Sequence, residues 1–178
     1  QVQIGGDVLQ EQLLEIKTKN NDRDKAKELF QTAKEEVGDS SLSNQHRAVS
    51  FYIVNKCSFS GLTESSSFSA QASESNFSIR GIEKLSGYKE LIKHWKITNY
   101  SYDFLLSGVQ TKVKDAFIYL DPPYEIGSHL YGKKGDMHKY FNHDDFSKKC
   151  SECSQDLLVS YNSSQLVRDR FSDWTVSY

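Results

Sequence analysis

A chain of 178 residues is long enough for one α/β domain with a buried core and short for two. Its formal net charge of -2 excludes a strongly basic surface, so any contact with nucleic acid must be local. No apolar run approaches the roughly 18 residues of a membrane span, and an odd count of three cysteines favours reduced thiols in a cytoplasmic protein without membrane contact.

Residues 1–40 predict two amphipathic helices. The first has Leu9, Leu13 and Ile16 on one face. The second is preceded by Asp22 as an N-cap and followed by Gly38 as a stop, and its apolar stripe consists of Ala26, Leu29, Phe30, Ala33 and Val37. A third helix is predicted from the spacing of Ala48, Phe51, Tyr52 and Asn55.

The segment Thr63–Ser78 contains seven serines in sixteen residues. Such a composition lacks the apolar side chains that build a core, so it predicts a mobile loop. A helical spacing resumes after this segment, in Ile82, Leu85, Tyr88, Leu91, Ile92 and Trp95.

The second half of the chain alternates strand and helix patterns. Strands are predicted in KITNYSYDF, KDAFIYLD, DLLVSYN and WTVSY, and helices from Asp144 and over Ser163–Phe171. The continuous apolar run Ala116–Leu120 predicts a strand buried on both faces of a parallel sheet. The alternation indicates an α/β sheet, in which ligands bind at the carboxyl ends of the strands.

Both prolines of the chain, Pro122 and Pro123, directly follow this strand, between Asp121 and Tyr124. Proline fixes φ and lacks an N–H, so the pair makes a rigid segment that cannot continue as a central strand. A carboxylate and a free carbonyl suit an exocyclic amine of a nucleobase, and an aromatic ring can stack on that base. The alternative interpretation of a bare proline pair is a turn that ends the strand.

FIYLDPPY resembles the catalytic motif of the Dam-like, D12-class DNA adenine-N6 methyltransferases. NKCSFSGL at Asn55–Leu62 and YDF at Tyr102–Phe104 resemble elements that precede this motif in the family. YFNHDDF and LLVSYNSSQLV are similar to segments that follow it. The resemblance spans about residues 45 to 178, in order.

The resemblance implies an α/β fold with a partial Rossmann-like methyltransferase sheet and a small helical target-recognition lobe. It divides the chain into a helical N-terminal segment (1–44), an inserted recognition lobe (45–100) and a catalytic core (101–178). S-adenosylmethionine is the implied methyl donor, with a cofactor-binding set of Asp103, Phe104 and Asp121. Asp103 would accept from the amine of the cofactor's adenine, and the ring of Phe104 would pack against that adenine.

The same resemblance implies double-stranded DNA as the partner, a monomeric enzyme and a setting in restriction and modification. Asp121 and the Pro122 carbonyl would accept from adenine N6, Pro123 would stiffen the motif, and Tyr124 would stack on the flipped base, with no metal. Candidate DNA contacts are Asn55, Lys56, Arg80, Lys84, Lys89, Lys133, Lys134 and Lys139. Loop surface is predicted for His129, His138 and His143, and helix capping for Ser160 and Asn162.

The family's glycine-rich cofactor loop, an aromatic-x-Gly-x-Gly after a first strand, has no counterpart at Gly5-Gly6, the only early glycine pair. The chain begins with Gln1 and its single methionine is Met137, which predicts a truncated enzyme. Two alternatives stay open. The first is a methyltransferase acting on guanine N2 of ribosomal RNA, and the second is a non-catalytic DNA-binding remnant.

Overall fold

The computed structural model describes residues 2–61, 66–107, 116–125 and 140–177. They form two compact units, Gln1–Lys96 and Ile97–Tyr178, each with its own hydrophobic cluster. The division into three functional domains stays a prediction. Among the described residues, no helix combines the length and the hydropathy that a membrane span requires.

The first unit is helical. It contains α1 (Val2–Lys19), α2 (Arg23–Glu36), α3 (Asn44–Cys57), a 3-10 turn (Phe59–Gly61), α4 (Ala70–Ser75), α5 (Ile79–Glu83) and α6 (Leu85–Ile92). The three helices predicted before residue 60 are confirmed, as is the capping role of Asp22, whose side chain accepts from the Lys25 N–H at 2.9 Å. The chain leaves α2 at Glu36, slightly before the predicted stop at Gly38.

The apolar stripes of these helices meet in one core. Leu13 on α1, Ile53 on α3 and Ile82 on α5 are at most 2% exposed. Burying such side chains contributes about 1.5 to 3 kcal/mol each. The helical spacing predicted from Ile82 onward is therefore confirmed, although it is divided between α5 and α6 and ends at Ile92, before Trp95.

The prediction of a mobile serine-rich loop is wrong for the described part of Thr63–Ser78. Residues 70–75 form α4, and Phe77 is fully buried in the core of the first unit. Ser69 and Ser78 act as N-caps of α4 and α5, accepting from the N–H groups of Ala72 and Gly81 at 3.2 Å each. Serine is unfavourable inside helices because its hydroxyl competes for the hydrogen bonds of nearby backbone groups. The same ability to bind backbone N–H groups makes it a good N-cap.

The second unit carries the α/β part. It contains α7 (Tyr102–Leu106), β1 (Phe117–Leu120), α8 (His143–Glu152), β2 (Asp156–Val159) and α9 (Gln165–Arg170). β1 and β2 pair in parallel, in a register that runs from Phe117 opposite Asp156 to Leu120 opposite Val159. The predicted strands around these residues and the helix between them are confirmed as a β-α-β arrangement.

Three strand predictions are wrong. KITNYSYDF contains no strand, because α7 begins at Tyr102 and the ring of Tyr100 packs on Phe104 one helical turn later, with centroids 4.8 Å apart. The described part of WTVSY is also not a strand, since Trp174 turns back against Phe171 with ring centroids 5.3 Å apart.

The third correction concerns β1, which is buried on one face only. Ile118 and Leu120 are each 7% exposed, whereas Phe117 and Tyr119 are 66% and 58% exposed. The buried face packs in a cluster with Phe146 and Phe171. A continuous apolar run does not reveal which of its faces the fold covers.

Candidate active site

The Asp-Pro-Pro-Tyr motif lies at the carboxyl end of β1, beside the carboxyl end of β2. The Ser160 N–H donates to the Leu120 carbonyl at 2.9 Å, which extends the pairing of the two strands by one bond. The chain then enters the two prolines, which have no N–H to donate. Pro122 is buried, and Asp121 before it is exposed.

Tyr124 contacts the residues that follow β2. Its phenol oxygen lies 2.8 Å from the Ser160 hydroxyl, and its ring stacks on Tyr161 with centroids 6.3 Å apart and an interplanar angle of 22°. The predicted capping role of Ser160 is therefore wrong. Ser164 is the N-cap of α9, accepting from the Val167 N–H at 3.1 Å.

Glu125, the residue after the motif, is bound at both its backbone and its side chain. The Asn162 amide donates to its carbonyl at 3.2 Å, so Asn162 also does not cap the helix as predicted. The Arg170 guanidinium donates to both carboxylate oxygens of Glu125, at 2.8 and 3.5 Å, and to Asp144 at 2.7 Å. Among the described residues, the buried Oδ1 atom of Asn162 has no hydrogen-bond partner.

Asp103 belongs to a second polar group. It lies in the first turn of α7 rather than on a strand, and it accepts from Lys149 at 2.7 Å and from the Ser101 hydroxyl at 3.1 Å. Its neighbour Phe104 packs on Tyr100. A cavity of about 420 Å³ opens beside this carboxylate, lined by Asp103, Leu106, Ser107, Lys149, Glu152 and Ser154.

A row of aromatic rings connects the two polar groups. Tyr102 packs on Phe146 at a centroid distance of 5.2 Å, Phe146 on Tyr161 at 6.4 Å, and Tyr161 on Tyr124 at 6.3 Å. Burial raises the pKa of the Tyr161 phenol, and this hydroxyl is hydrogen-bonded to the ring of His143. His143 therefore begins α8 inside this row, and its predicted place on a loop surface is wrong.

Comparison with protein families supplies the family of the chain. Residues 4–178 match D12 class N6 adenine-specific DNA methyltransferase. The chain belongs to this family. Comparison with curated proteins returns no match. The resemblance predicted from the motifs is confirmed, and a family that acts on adenine in DNA leaves the ribosomal RNA alternative without support.

The candidate DNA contacts of this D12-class chain lie partly in the first unit. Arg80 on α5 and Lys84 between α5 and α6 are exposed, and the Lys56 ammonium lies 5.8 Å from the centroid of the Tyr52 ring. Lys89 instead pairs with Asp7 at 3.2 Å. Contact with DNA stays a prediction for all of them, and Lys133, Lys134 and Lys139, together with His129 and His138, lie outside the described residues.

Asn55, another candidate DNA contact, has a structural partner in the D12-class chain. Its amide donates to the Gly61 carbonyl at 2.7 Å, which closes the turn after α3. Gly61 has a φ of 68°, a left-handed conformation that favours glycine. The glycines Gly5 and Gly6 lie within α1 rather than after a strand.

Sequence reasoning missed four polar residues that surround the two groups. Ser160 contacts Tyr124 of the motif, Asn162 and Arg170 bind Glu125, and Lys149 binds Asp103. For Ser160 and Asn162 a signal was present, because both lie at the carboxyl end of the predicted strand DLLVSYN, and ligands bind at such strand ends in α/β sheets. Arg170 and Lys149 carry no such signal, since a charged residue on an amphipathic helix is most often solvated.

Proposed function

We propose that this D12-class chain transfers a methyl group from S-adenosylmethionine to N6 of an adenine in double-stranded DNA, on a base flipped out of the duplex. The observation that supports it most is the position of the motif. Asp121 to Tyr124 directly follow β1, at the end of a parallel strand pair, and ligands bind at this edge of α/β sheets. In this proposal β1 and β2 are neighbouring strands of a Rossmann-like sheet.

The motif offers hydrogen-bond acceptors without competing donors. Asp121 has a carboxylate, which accepts only, and Pro122 has a carbonyl and no N–H. An exocyclic amine has two hydrogens to donate, so the two acceptors can bind it together. Holding both hydrogens directs the nitrogen lone pair toward the incoming methyl carbon, which is catalysis by positioning and preorganised electrostatics.

Tyr124 supplies the stacking surface. Its side chain is 37% exposed, and its hydroxyl is already bound to Ser160, so the ring has a defined orientation before any base arrives. Stacking of a base on an aromatic ring contributes about 1 to 3 kcal/mol. Flipping a base from its duplex costs a few kcal/mol, so the two terms are of similar size.

The residues around Asp103 fit the amine of an adenine ring. A carboxylate has about four acceptor positions, and Asp103 uses two of them for Lys149 and Ser101. Its side chain is 47% exposed and lines the cavity of about 420 Å³ described above. Asp103 would therefore hold the adenine end of S-adenosylmethionine, with Phe104 against the ring. When bound, this cofactor supplies the electrophilic methyl group.

The first unit supplies the proposed target-recognition surface. Lys56, Arg80 and Lys84 are the described cations that we assign to phosphate contacts there, because Lys89 is paired with Asp7. Residues 41–110, which include these three cations, carry seven basic and five acidic side chains, whereas the segments before and after them are net acidic.

The test is methyl transfer by the whole chain. The chain is incubated with labelled S-adenosylmethionine and mixed-sequence duplex DNA, the DNA is digested to nucleosides, and N6-methyladenine is quantified. Asp121→Ala removes the proposed acceptor. Asp156→Ala, at the exposed start of β2, is the matched control for loss of an aspartate from the same sheet. A parallel reaction with ribosomal RNA, analysed for N2-methylguanine, tests the other acceptor.

We expect label on adenine with the wild type and with Asp156→Ala, and none with Asp121→Ala. Label on adenine that survives in Asp121→Ala contradicts the role of the motif. A wild type that binds DNA and transfers no methyl group contradicts the proposed activity and supports a non-catalytic DNA-binding remnant.

A further inference from the structure

Two of the four residues of the motif, Pro122 and Pro123, lack the backbone N–H that usually holds a segment in place. After the bond from the Ser160 N–H to the Leu120 carbonyl, Pro122 and Pro123 interrupt any further ladder. The position of Tyr124 therefore depends on its own side-chain contacts with Ser160 and Tyr161 and on the contacts that hold the next residue, Glu125.

Arg170 makes the strongest of these contacts. It lies in the last turn of α9, and its side chain is 13% exposed, against 27% for Glu125. Two guanidinium nitrogens face the two carboxylate oxygens of Glu125, at 2.8 and 3.5 Å. Bidentate pairs of this kind fix direction as well as distance, and partial burial protects them from screening by salt.

The third guanidinium nitrogen of Arg170 extends the anchor to a second helix. Nε donates to Asp144 in the first turn of α8 at 2.7 Å. Hydrogen bonds to Glu125 and then to Asp144 raise the pKa of Arg170, so the side chain stays charged. Arg170 thus ties α8 and α9 to the residue that directly follows Tyr124.

We propose that Arg170 is a positioning residue, which acts through Glu125 to hold the ring of Tyr124 where a flipped base can stack on it. The stacking part of this inference rests on the proposed function. One extended residue spans only about 3.3 Å, so a displacement of Glu125 moves Tyr124 directly. Without Arg170, the Asn162 amide still binds the Glu125 backbone, and the Tyr124 ring keeps only its own contacts with Ser160 and Tyr161 among the described residues.

The first test measures the ring and not the reaction. 3-Fluorotyrosine is placed at position 124 of the whole chain and observed by fluorine NMR. Arg170→Gln and Glu125→Gln break the pair from opposite sides. Arg168→Gln is the matched control, because Arg168 is exposed on the same helix and its described hydrogen bonds are local, to Ser163 and Gln165 at 3.1 and 3.3 Å.

We expect one dispersed resonance in the wild type and in Arg168→Gln. In Arg170→Gln and in Glu125→Gln it should move toward the position seen in the unfolded chain. A melting curve of each variant identifies any that has unfolded. If Arg170→Gln has unfolded, the fluorine resonance of Glu125→Gln decides the test. A resonance that moves no more in the folded pair variants than in Arg168→Gln overturns the inference.

The second test uses single-turnover methyl transfer. We expect Arg170→Gln and Glu125→Gln each to lower the rate constant about 10- to 100-fold at saturating DNA, as misplacement of about 1 Å does elsewhere, with little change in cofactor affinity. The double variant should lose no more than either single variant, because the two residues act as one unit. Additive losses, or an unchanged rate in both single variants, contradict positioning through Glu125.

The two proposals fail in different ways. If the wild-type chain transfers no methyl group, the proposed function fails, and the fluorine resonance alone decides whether Arg170 holds the ring. If the wild type is active and the resonance does not respond to Arg170→Gln, the proposed function stands and the positioning role is overturned.

Discussion

The ammonium of Lys149 lies 2.7 Å from the carboxylate of Asp103 and 2.7 Å from that of Asp145. The hydrogen bond from Lys149 lowers the pKa of Asp103, and the Ser101 hydroxyl lowers it further. The same bond, followed by the one to Asp145, raises the pKa of Lys149. Asp103 thereby stays ionised. The acceptor positions of its carboxylate that Lys149 and Ser101 do not use can accept hydrogen bonds and cannot donate them.

Removal of this ammonium should raise the pKa of Asp103 toward the ordinary aspartate value of about 3.9. We expect this shift in Lys149→Met, measured by NMR titration of the Asp103 carboxylate. The pKa of Asp103 is lower in the folded chain than in the unfolded chain. The Asp103–Lys149 pair therefore stabilises the fold fully above the unfolded-state pKa, and this stabilisation is lost as the pH falls through the folded-state pKa. Unfolding midpoints of wild type and variant should therefore converge in acid.

Lys148→Met is the control for this titration. Lys148 precedes Lys149 on α8 and is 74% exposed, and the one described carboxylate within reach of its ammonium is that of Glu152, at 3.9 Å. Removal of the Lys148 ammonium should leave the pKa of Asp103 unchanged. An equal shift in both variants would mean that general charge, and not the specific pair, sets the pKa.

Phe77 should be essential to the stability of the first unit. It is fully buried, and its ring meets the Tyr52 ring edge-on with centroids 6.2 Å apart. The Lys17 ammonium lies 5.0 Å from the centroid of the Phe77 ring. Phe77→Ala removes these contacts and leaves a cavity, so we expect a loss of about 3 to 5 kcal/mol in the free energy of unfolding. Urea denaturation followed by helical circular dichroism measures this loss.

Phe59→Ala provides the comparison for Phe77→Ala. Phe59 is 68% exposed, so the same truncation should change the free energy of unfolding by no more than about 0.5 kcal/mol. Similar losses at Phe77 and Phe59 would contradict the described core.

Ser69 should stabilise α4 as its N-cap. Its hydroxyl accepts from the Ala72 N–H at 3.2 Å, so Ser69→Ala leaves this donor without its partner. We expect a loss of about 1 kcal/mol in the free energy of unfolding. In Ser75→Ala, the hydroxyl that is removed is exposed and donates to the neighbouring Gln71 carbonyl and Asn76 side chain without capping a helix, so the loss should be absent. A cap effect is disproved if the two variants unfold alike.

The three thiols should differ in reactivity. Burial raises the pKa of Cys57 to about 12 and that of Cys150 to about 11. Thiolates are the reactive form, so both should be inert near neutral pH, whereas the half-buried Cys153 reacts first. Titration with a chromogenic disulfide should count one fast thiol in the native chain and three in denaturant. Fast reaction of Cys57 would contradict its burial.

Local patterns predicted the elements whose side chains follow a period. The stripe that includes Leu9 and Leu13 predicted α1 because one helical face packs on the core. The apolar run before Asp121 predicted β1, and the proline pair predicted where it stops. What local patterns could not supply was the partner of each face. Phe117 and Tyr119 are residue types that are usually buried, but in this fold both are exposed.

The serine-rich segment illustrates a second limit. Its composition describes an average preference, whereas Ser69 and Ser78 act at single positions, as caps. Phe77, between them, is buried by packing with residues distant in sequence. At the site, the motif was predicted from its own chemistry, but Arg170 was not, since nothing near it in sequence reveals that it meets Glu125 in space.

The distance in sequence between the motif and its anchors has a consequence for synthesis of the chain. Glu125 precedes Asn162 by 37 residues and Arg170 by 45. At about 5 to 20 residues per second, a ribosome adds the last anchor roughly 2 to 9 s after the motif. Until then the nascent segment lacks its bond to Arg170, while Pro122 and Pro123 already restrict its backbone. The edge that carries Asp121 is therefore completed late, when α9 emerges and docks.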